Sequence, residues 1–288
     1  MEESIPLKKR GRLHVVATPL GNAGDLSPRA REVLSSAGLV LAEDTRRAGL
    51  LFQRLGIKAS RFMSFFEHNE EGRVAQVLAE LEQGRDVALI SDAGTPLLSD
   101  PGYRLVRACR EEGFAVSPVP GPSAPIAALS ACGLPPYPFI FLGFLPRRDS
   151  DIARLFDEFG RVKATLVFFE RKSRLAATLN LAAKSLGNRE FCIARELTKE
   201  HEEFILGRLG NLGEARLDLL GELTVVIGPP GEDERTAEAE MLAVADEEAS
   251  GGGRPKEVAR RVAERVRGWT AKAVYERLMD RRKGGDGS

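Results

Sequence analysis

The hydrophobic pattern of this chain changes character near its middle. In the first half, short apolar runs alternate with amphipathic segments. Residues 13–18, 39–42, 62–66 and 86–90 are apolar and rich in β-branched or aromatic side chains, as buried strands are. A further short strand precedes Pro120. Between these runs, Ser27-Pro28 marks a helix start, with a serine cap and proline in the first turn. A second helix runs on to about Leu55. Val74, Val77, Leu78 and Leu81 fall on one face of a third, over roughly 73–82. Strand–helix alternation predicts a parallel α/β sheet.

After Pro120 the strands outnumber the helices. Residues 139–144, 164–169, 191–195, 203–207 and 223–227 are strand-like, with helices near 122–131, 150–159 and 173–186. This predicts a mixed sheet in a second domain. The expected organisation is an N-terminal α/β domain over 1–120, an α+β domain over 121–230, an acidic, Gly-rich linker over 231–253, with or without a short helix, and a basic helix-turn-helix-like tail over 254–288. In that tail Val258, Val262 and Val266 share a face, Gly268 breaks the helix, and Thr270 caps a second helix carrying Ala273, Val274 and Leu278.

Charge sharpens this division. Lys+Arg and Asp+Glu are both 42, so net charge carries no general nucleic-acid signal. Residues 232–248 nevertheless hold eight acids and one base, and 254–283 hold eleven bases and four acids. Local anion contact by the tail is the expectation. Three widely spaced cysteines, Cys109, Cys132 and Cys192, match no metal or redox motif and suit buried thiols in a reducing compartment. No run approaches the ~20 apolar residues of a membrane helix. A cytoplasmic protein without a membrane partner or a metal is expected.

Candidate chemistry gathers at predicted strand ends. Residues 91–96, SDAGTP, are followed by Ser99-Asp100-Pro101-Gly102 and, after one helix and one strand, by Pro120-Gly121-Pro122-Ser123-Ala124. In an open parallel sheet both loops fall at the carboxyl edge, where ligands bind. An acid, a glycine and a hydroxyl there suit a cationic cofactor carrying an amino acid and a ribose, and S-adenosylmethionine is the expected one. A capped turn is the plainer reading of the same residues. The first loop, GNAGD, is not the GxGxxG of dinucleotide folds. Glu43-Asp44-Thr45-Arg46 is open to two readings: a capped helix start, or an acid–arginine pair gripping substrate. His68, beside Asn69, reads as a surface histidine, a general base or an RNA contact. Phe168 and Phe169 read as core aromatics or as a cover for an adenine. No hydrolase triad, zinc motif or Walker loop is present, which favours group transfer from a soluble cofactor.

These motifs, in order LHVVATPLGNAGDLSPRAREVL, LVLAEDTR, FFEHNE, LISDAGTPLLSDPGYRLV, PVPGPSA, GFLPRR, LVFFERKSRL and ARELTKEHEE, closely resemble the small-subunit ribosomal RNA methyltransferase I family of the tetrapyrrole methylase superfamily. The likeness spans roughly residues 13–228 and extends more loosely to the tail. It implies two α/β domains of tetrapyrrole-methylase type with the cofactor cleft between them, a small C-terminal helical segment and a homodimer. It implies methyl transfer from S-adenosylmethionine to the 2′-oxygen of a cytidine in 16S ribosomal RNA, free or in the assembled 30S subunit. Carried over by position, Leu20, Asp92, Thr95, Ser123, Ala124, Phe169, Glu196 and Leu197 bind the cofactor. Glu43, Asp44 and His68 are the catalytic candidates, and Arg46 and Asn69 are RNA contacts. Arg147, Arg148, Arg260 and Arg261, with Arg265 and Arg267, are expected to hold phosphates or to be solvated helix faces. The chain departs from the family pattern at Phe66 and Arg171-Lys172. A tetrapyrrole methyltransferase and a non-catalytic, cofactor-sensing RNA-binding module are the alternatives.

Overall fold

The computed structural model describes residues 10–231, 236, 238–266 and 268–285, with side chains up to Arg281. The chain forms two compact units: Met1–Ala131 with Ala194–Glu203, and Cys132–Ile193 with Phe204–Ser288. The first carries five strands: β1 (Arg12–Val16), β2 (Leu39–Ala42), β3 (Phe62–Ser64), β4 (Val87–Leu89) and β5 (Ala115–Val119). They lie in the order β3-β2-β4-β1-β5, and every pair is parallel. Its helices are α1 (Pro28–Ser36), α2 (Thr45–Leu55), α3 (Glu70–Glu82), α4 (Tyr103–Glu111) and α5 (Ala124–Ala131).

The strands are apolar on both faces because helices cover both. Val40, Ala42, Ala88 and Ile90 pack with Ala30 and Leu34 of α1 and Ala48 and Phe52 of α2. Their neighbours Leu39, Leu41, Val87 and Leu89 pack on the other face with Val77 and Leu81 of α3 and Leu105 and Cys109 of α4. Adjacent strands β1 and β4 therefore send their helices to opposite faces. That is a topological switch point, where the outgoing loops part and leave a crevice at the carboxyl edge.

Local sequence explains the helix starts. Ser27 Oγ accepts from Ala30 N at 3.1 Å, with Pro28 following. Asp44 caps α2 through Arg46 N at 2.9 Å. The N-cap of α4 is Gly102, which has no side chain to offer. Buried Glu70 supplies the acceptor from α3, taking Arg104 N at 3.0 Å and Leu105 N at 3.3 Å. Glu70→Ala leaves these amides without their charged acceptor and should destabilise the protein by about 1.5–3 kcal/mol. Urea unfolding checks this; a change under about 0.5 kcal/mol would refute the cap.

The second unit holds β6 (Phe139–Phe144), β7 (Thr165–Arg171), β8 (Glu190–Arg195), β9 (Glu203–Arg208) and β10 (Glu222–Ile227) in the order β6-β7-β10-β8-β9. β6 and β7 are parallel and β7 and β10 antiparallel, so the sheet is mixed. α6 (Asp149–Phe159) and α7 (Leu175–Leu186) bury Ile152, Phe156, Leu175 and Leu179 against Leu166, Phe168 and Val225.

One boundary needs correction. The first unit continues past 120, because Pro120-Gly121-Pro122 is the loop after β5 and α5 stays with that unit. The acidic stretch over 231–253 contains a helix, α8 (Glu238–Ser250). The two helices of the basic tail, α9 (Pro255–Arg265) and α10 (Ala271–Gly285), pack on α8 around Met241, Ala245, Val258, Val262, Trp269 and Val274. The tail's charges face the acidic helix. Arg265 binds Glu247 at 2.8 Å and Glu248 at 2.7 Å, Arg261 binds Glu248 at 2.8 Å, and Arg281 binds Asp246 at 2.9 Å. Acidic linker and basic tail are complementary parts of one helical bundle.

Candidate functional site

Three loops of the first unit meet at the switch point. Thr18, after β1, and Gly94, after β4, exchange backbone hydrogen bonds at 2.8 and 3.0 Å. Thr95 Oγ1 donates to Pro122 O, after β5, at 2.9 Å. Ser91 Oγ donates to Ala93 O and Gly94 O and braces the turn. Two glycines make this knot possible. Gly94 has φ of +79°, and a Cβ there would lie 3.0 Å from Leu20 Cδ2. A Cβ on Gly121 would stand 2.9 Å from Ala17 Cβ.

The segment Ala194–Glu203, which belongs to the first unit, is tied to the β1 loop. Asn22 N donates to Thr198 Oγ1 at 3.1 Å, and the Lys199 stem packs over Gly21. Glu196 pairs with Lys199 at 3.1 Å, and Leu197 is buried. Among the described residues, the non-glycine positions with positive φ are Leu97 and Ser99, after β4, and Glu196 and Thr198, in this segment. Such strain persists only where the surroundings enforce it, and it clusters at ligand sites. Ser123 Oγ is buried at the knot and has no hydrogen-bond partner among the described residues. An orphaned hydroxyl of this kind fits a ligand that completes it.

Beside the knot, the ends of β2 and β4 bring carboxylates together. Burial raises the Glu43 pKa, Asp92 raises it further, Arg47 opposes this and Asp44 adds to it. Asp100 is pushed up to about 7 by burial, then by Glu43 and Asp92. Arg47 Nη1 lies 2.8 Å from Asp92 Oδ2. Asp44 behaves oppositely: its hydrogen bonds from Arg46 hold it at about 2. Sequence reasoning assigns no role to Asp100 or Arg47. Asp100 reads as turn chemistry in an Asp-Pro-Gly stretch, and only its tertiary neighbours give it a perturbed proton affinity.

The other candidates separate by role. Asp44 and Arg46 hold each other at 2.9 Å, which is the capping reading of that motif. Asn69 accepts from Phe66 N at 2.8 Å and donates to Ser64 O at 3.1 Å, so it builds its own turn. His68 is exposed, edge-on to Phe66 at 6.4 Å. Ala124 opens α5 next to Ser123. Phe169 lies in the second unit, its ring 5.2 Å from both Phe141 and Phe144. Arg147 and Arg148 are exposed ahead of α6. Arg260 is exposed and reaches only Glu264, at 4.0 Å. Arg261 also donates to the carbonyls of Glu248 and Gly252, at 2.9 and 2.7 Å, and Arg265 pairs with Glu247 and Glu248, so both are engaged with α8 and its end. Arg267 lies outside the described residues.

Residues 12–213 match the family model of tetrapyrrole (corrin/porphyrin) methylases. The ribosomal RNA small subunit methyltransferase I of Micromonospora olivasterospora is 42% identical over 280 residues, 95% of this chain and 89% of that protein. The chain belongs to the ribosomal RNA small subunit methyltransferase I family. A second relative in this methyltransferase I family, from Escherichia coli O157:H7, is 45% identical over 204 residues, 70% of this chain and 71% of that protein. Solved structures share the fold. The methyltransferase CobJ aligns with a TM-score of 0.60 at 18% identity, covering 78% of this chain and 96% of its own. Uroporphyrin-III C-methyl transferase from Thermus thermophilus, complexed with S-adenosylhomocysteine, aligns with a TM-score of 0.55 at 19% identity, covering 76% and 97%. Helices long and apolar enough to cross a membrane are absent among the described residues.

Proposed function

We propose that this protein transfers the methyl group of S-adenosylmethionine to small-subunit ribosomal RNA, at the ribose 2′-oxygen of a cytidine. The knot of strand-end loops around the orphaned Ser123 hydroxyl carries the cofactor reading. Family membership carries the RNA reading.

When bound, S-adenosylmethionine supplies a methyl group on a cationic sulfur, open to in-line displacement by oxygen. The protein's task is positioning and proton removal. Gly94 and Gly121 let the strand-end loops close on one another, and Ser123 Oγ, Thr95 and the Leu20 loop hold the cofactor. Good alignment is worth about 7–11 kcal/mol. The carboxylates at the ends of β2 and β4 suit a cation. A ribose hydroxyl also needs a proton acceptor, and the best acceptor has a pKa near the working pH. Glu43 is the candidate shifted in that direction: it is exposed toward solvent, and its proton affinity is raised. Asp44, held at about 2, is a poor acceptor. The 2′-hydroxyl distinguishes RNA from DNA, and the target nucleotide must be splayed out to reach the site.

Mass mapping of ribosomal RNA from cells with and without the protein tests this directly. A missing ribose methyl on one cytidine is the expected result. Methyl incorporation into a precorrin but not into 30S subunits would overturn it in favour of a tetrapyrrole substrate. Tight cofactor binding without incorporation into any RNA would favour a sensing module. Arg147 and Arg148 are the proposed phosphate contacts of the second unit. Arg147→Ala/Arg148→Ala should lower the salt slope of RNA binding by about 0.7 per lost contact on single strands. An unchanged slope in a salt titration removes them from the interface. The exposed apolar side chains of Tyr137, Phe139 and Phe144, on and before edge strand β6, support a homodimer, which sedimentation tests.

A further inference from the structure

Asp92 raises the cost of ionising Glu43, and Glu43 and Asp92 together raise that of Asp100, so the three carboxyls share one corner. The cation at contact distance is Arg47, on the first turn of α2, with its Nη1 2.8 Å from Asp92 Oδ2. Arg46, its neighbour in sequence, is turned to Asp44 through contacts of 3.2 and 2.9 Å. The Arg47 side chain is 71% exposed and Asp92 29%. Arg47 thus reaches in from solvent over a carboxylate, and exposed ion pairs of this kind contribute little stability.

We infer that Arg47 is an exchangeable counter-ion that couples the charge of the bound cofactor to the grip on RNA. The inference rests on the cofactor reading above. S-adenosylmethionine is cationic at sulfur, and its demethylated product is not. Three carboxylates in one corner favour a nearby cation whichever cofactor is present. With the donor bound, the sulfonium serves the corner and Arg47 is released to the surface. There a phosphate, which takes the planar guanidinium in two hydrogen bonds, is its best partner. With the product bound, Arg47 returns to Asp92 and an RNA contact is lost. Methyl transfer itself then loosens the substrate. Arg47 is a positioning residue in this scheme and does not touch the reacting atoms.

The test is binding of unmethylated small ribosomal subunits in the presence of two non-reacting cofactors. One is sinefungin, which carries an ammonium near the sulfonium position. The other is neutral S-adenosylhomocysteine. Subunits should bind about tenfold tighter with sinefungin, within the usual range of coupling. The salt slope should be steeper by roughly one phosphate contact, about 0.7–0.9. Arg47→Ala should erase both differences, and Arg47→Lys should restore part of them. Equal affinities in the unaltered protein, or a difference that survives Arg47→Ala, overturn the inference. Calorimetric titration of each cofactor on the same preparations separates the two levels. Failure to bind either cofactor defeats the cofactor reading itself, and binding of both with no RNA difference defeats only the role of Arg47.

Discussion

Glu43→Gln should lower the rate of methyl transfer by roughly 10²–10⁴-fold, the contribution of a positioned general base. The amide keeps the size and solvent exposure of the side chain but cannot take a proton. Cofactor affinity should change far less than turnover, because Glu43 acts on the nucleophile. A variant that keeps more than a tenth of the wild-type rate in single-turnover assays would rule out this role. Asp44→Asn makes the contrast: its carboxylate is committed to the α2 cap and to Arg46, so its loss should affect stability before chemistry.

The pH dependence carries the same signature. Glu43 must be ionised to accept a proton, so the rate should rise with pH. Asp100, held at about 7 by burial and by Glu43 and Asp92, titrates in the same corner, with Arg47 as the facing cation. The pair then shows an apparent pKa that belongs to both groups. Asp100→Asn removes one negative neighbour and should move the rising limb to lower pH. Stability should run the other way. The folded-state pKa of Asp100 is raised above its ordinary 3.8. Its favourable contribution is therefore complete below 3.8 and is lost as pH rises through about 7. Asp100→Asn should raise the Tm relative to wild type at pH 8 and leave it nearly unchanged at pH 4. A pH-independent Tm difference would exclude the shifted carboxyl.

Gly94→Ala should weaken cofactor binding by about tenfold or more, equivalent to about 1.4 kcal/mol. The backbone at φ +79° is left-handed, which costs a side-chain-bearing residue roughly 1–2 kcal/mol. The new Cβ would press on Leu20 at 3.0 Å. Both effects act where Thr18 and Gly94 join the β1 and β4 loops, so strain relief pulls the site apart before it unfolds the sheet. Isothermal titration with S-adenosylhomocysteine measures the loss. An unchanged Kd in a folded variant would show that the knot does not form the cofactor floor. Gly121→Ala offers an independent check from the β5 loop, with its contact against Ala17 at 2.9 Å.

Much of the site was legible before any tertiary information. The Ser-Pro start of α1, the buried run of β2 and the helical face of α3 are local patterns. So were the loops that carry Leu20, Asp92, Thr95 and Ser123, because turn chemistry at the end of an apolar run marks a strand terminus. The charged residues were less legible. Asp44 and Arg46 suit a substrate grip as well as a cap, and only the fold shows the cap bond to Arg46 N. Arg261 and Arg265 look like phosphate ligands in a basic tail until Glu248 stands between them.

The chain's own pattern of apolar and turn-forming residues determined a parallel α/β unit, a mixed-sheet unit and loops bearing the candidate chemistry at strand ends, since helix period, strand alternation and capping operate over a few residues. The three-dimensional fold decided which charges meet. It set Asp100 beside Glu43 and Asp92, paired Arg47 with Asp92, neutralised the tail against α8 and left the Ser123 hydroxyl unanswered. Coulomb forces and desolvation depend on distance through space, and separation along the chain carries almost none of that information.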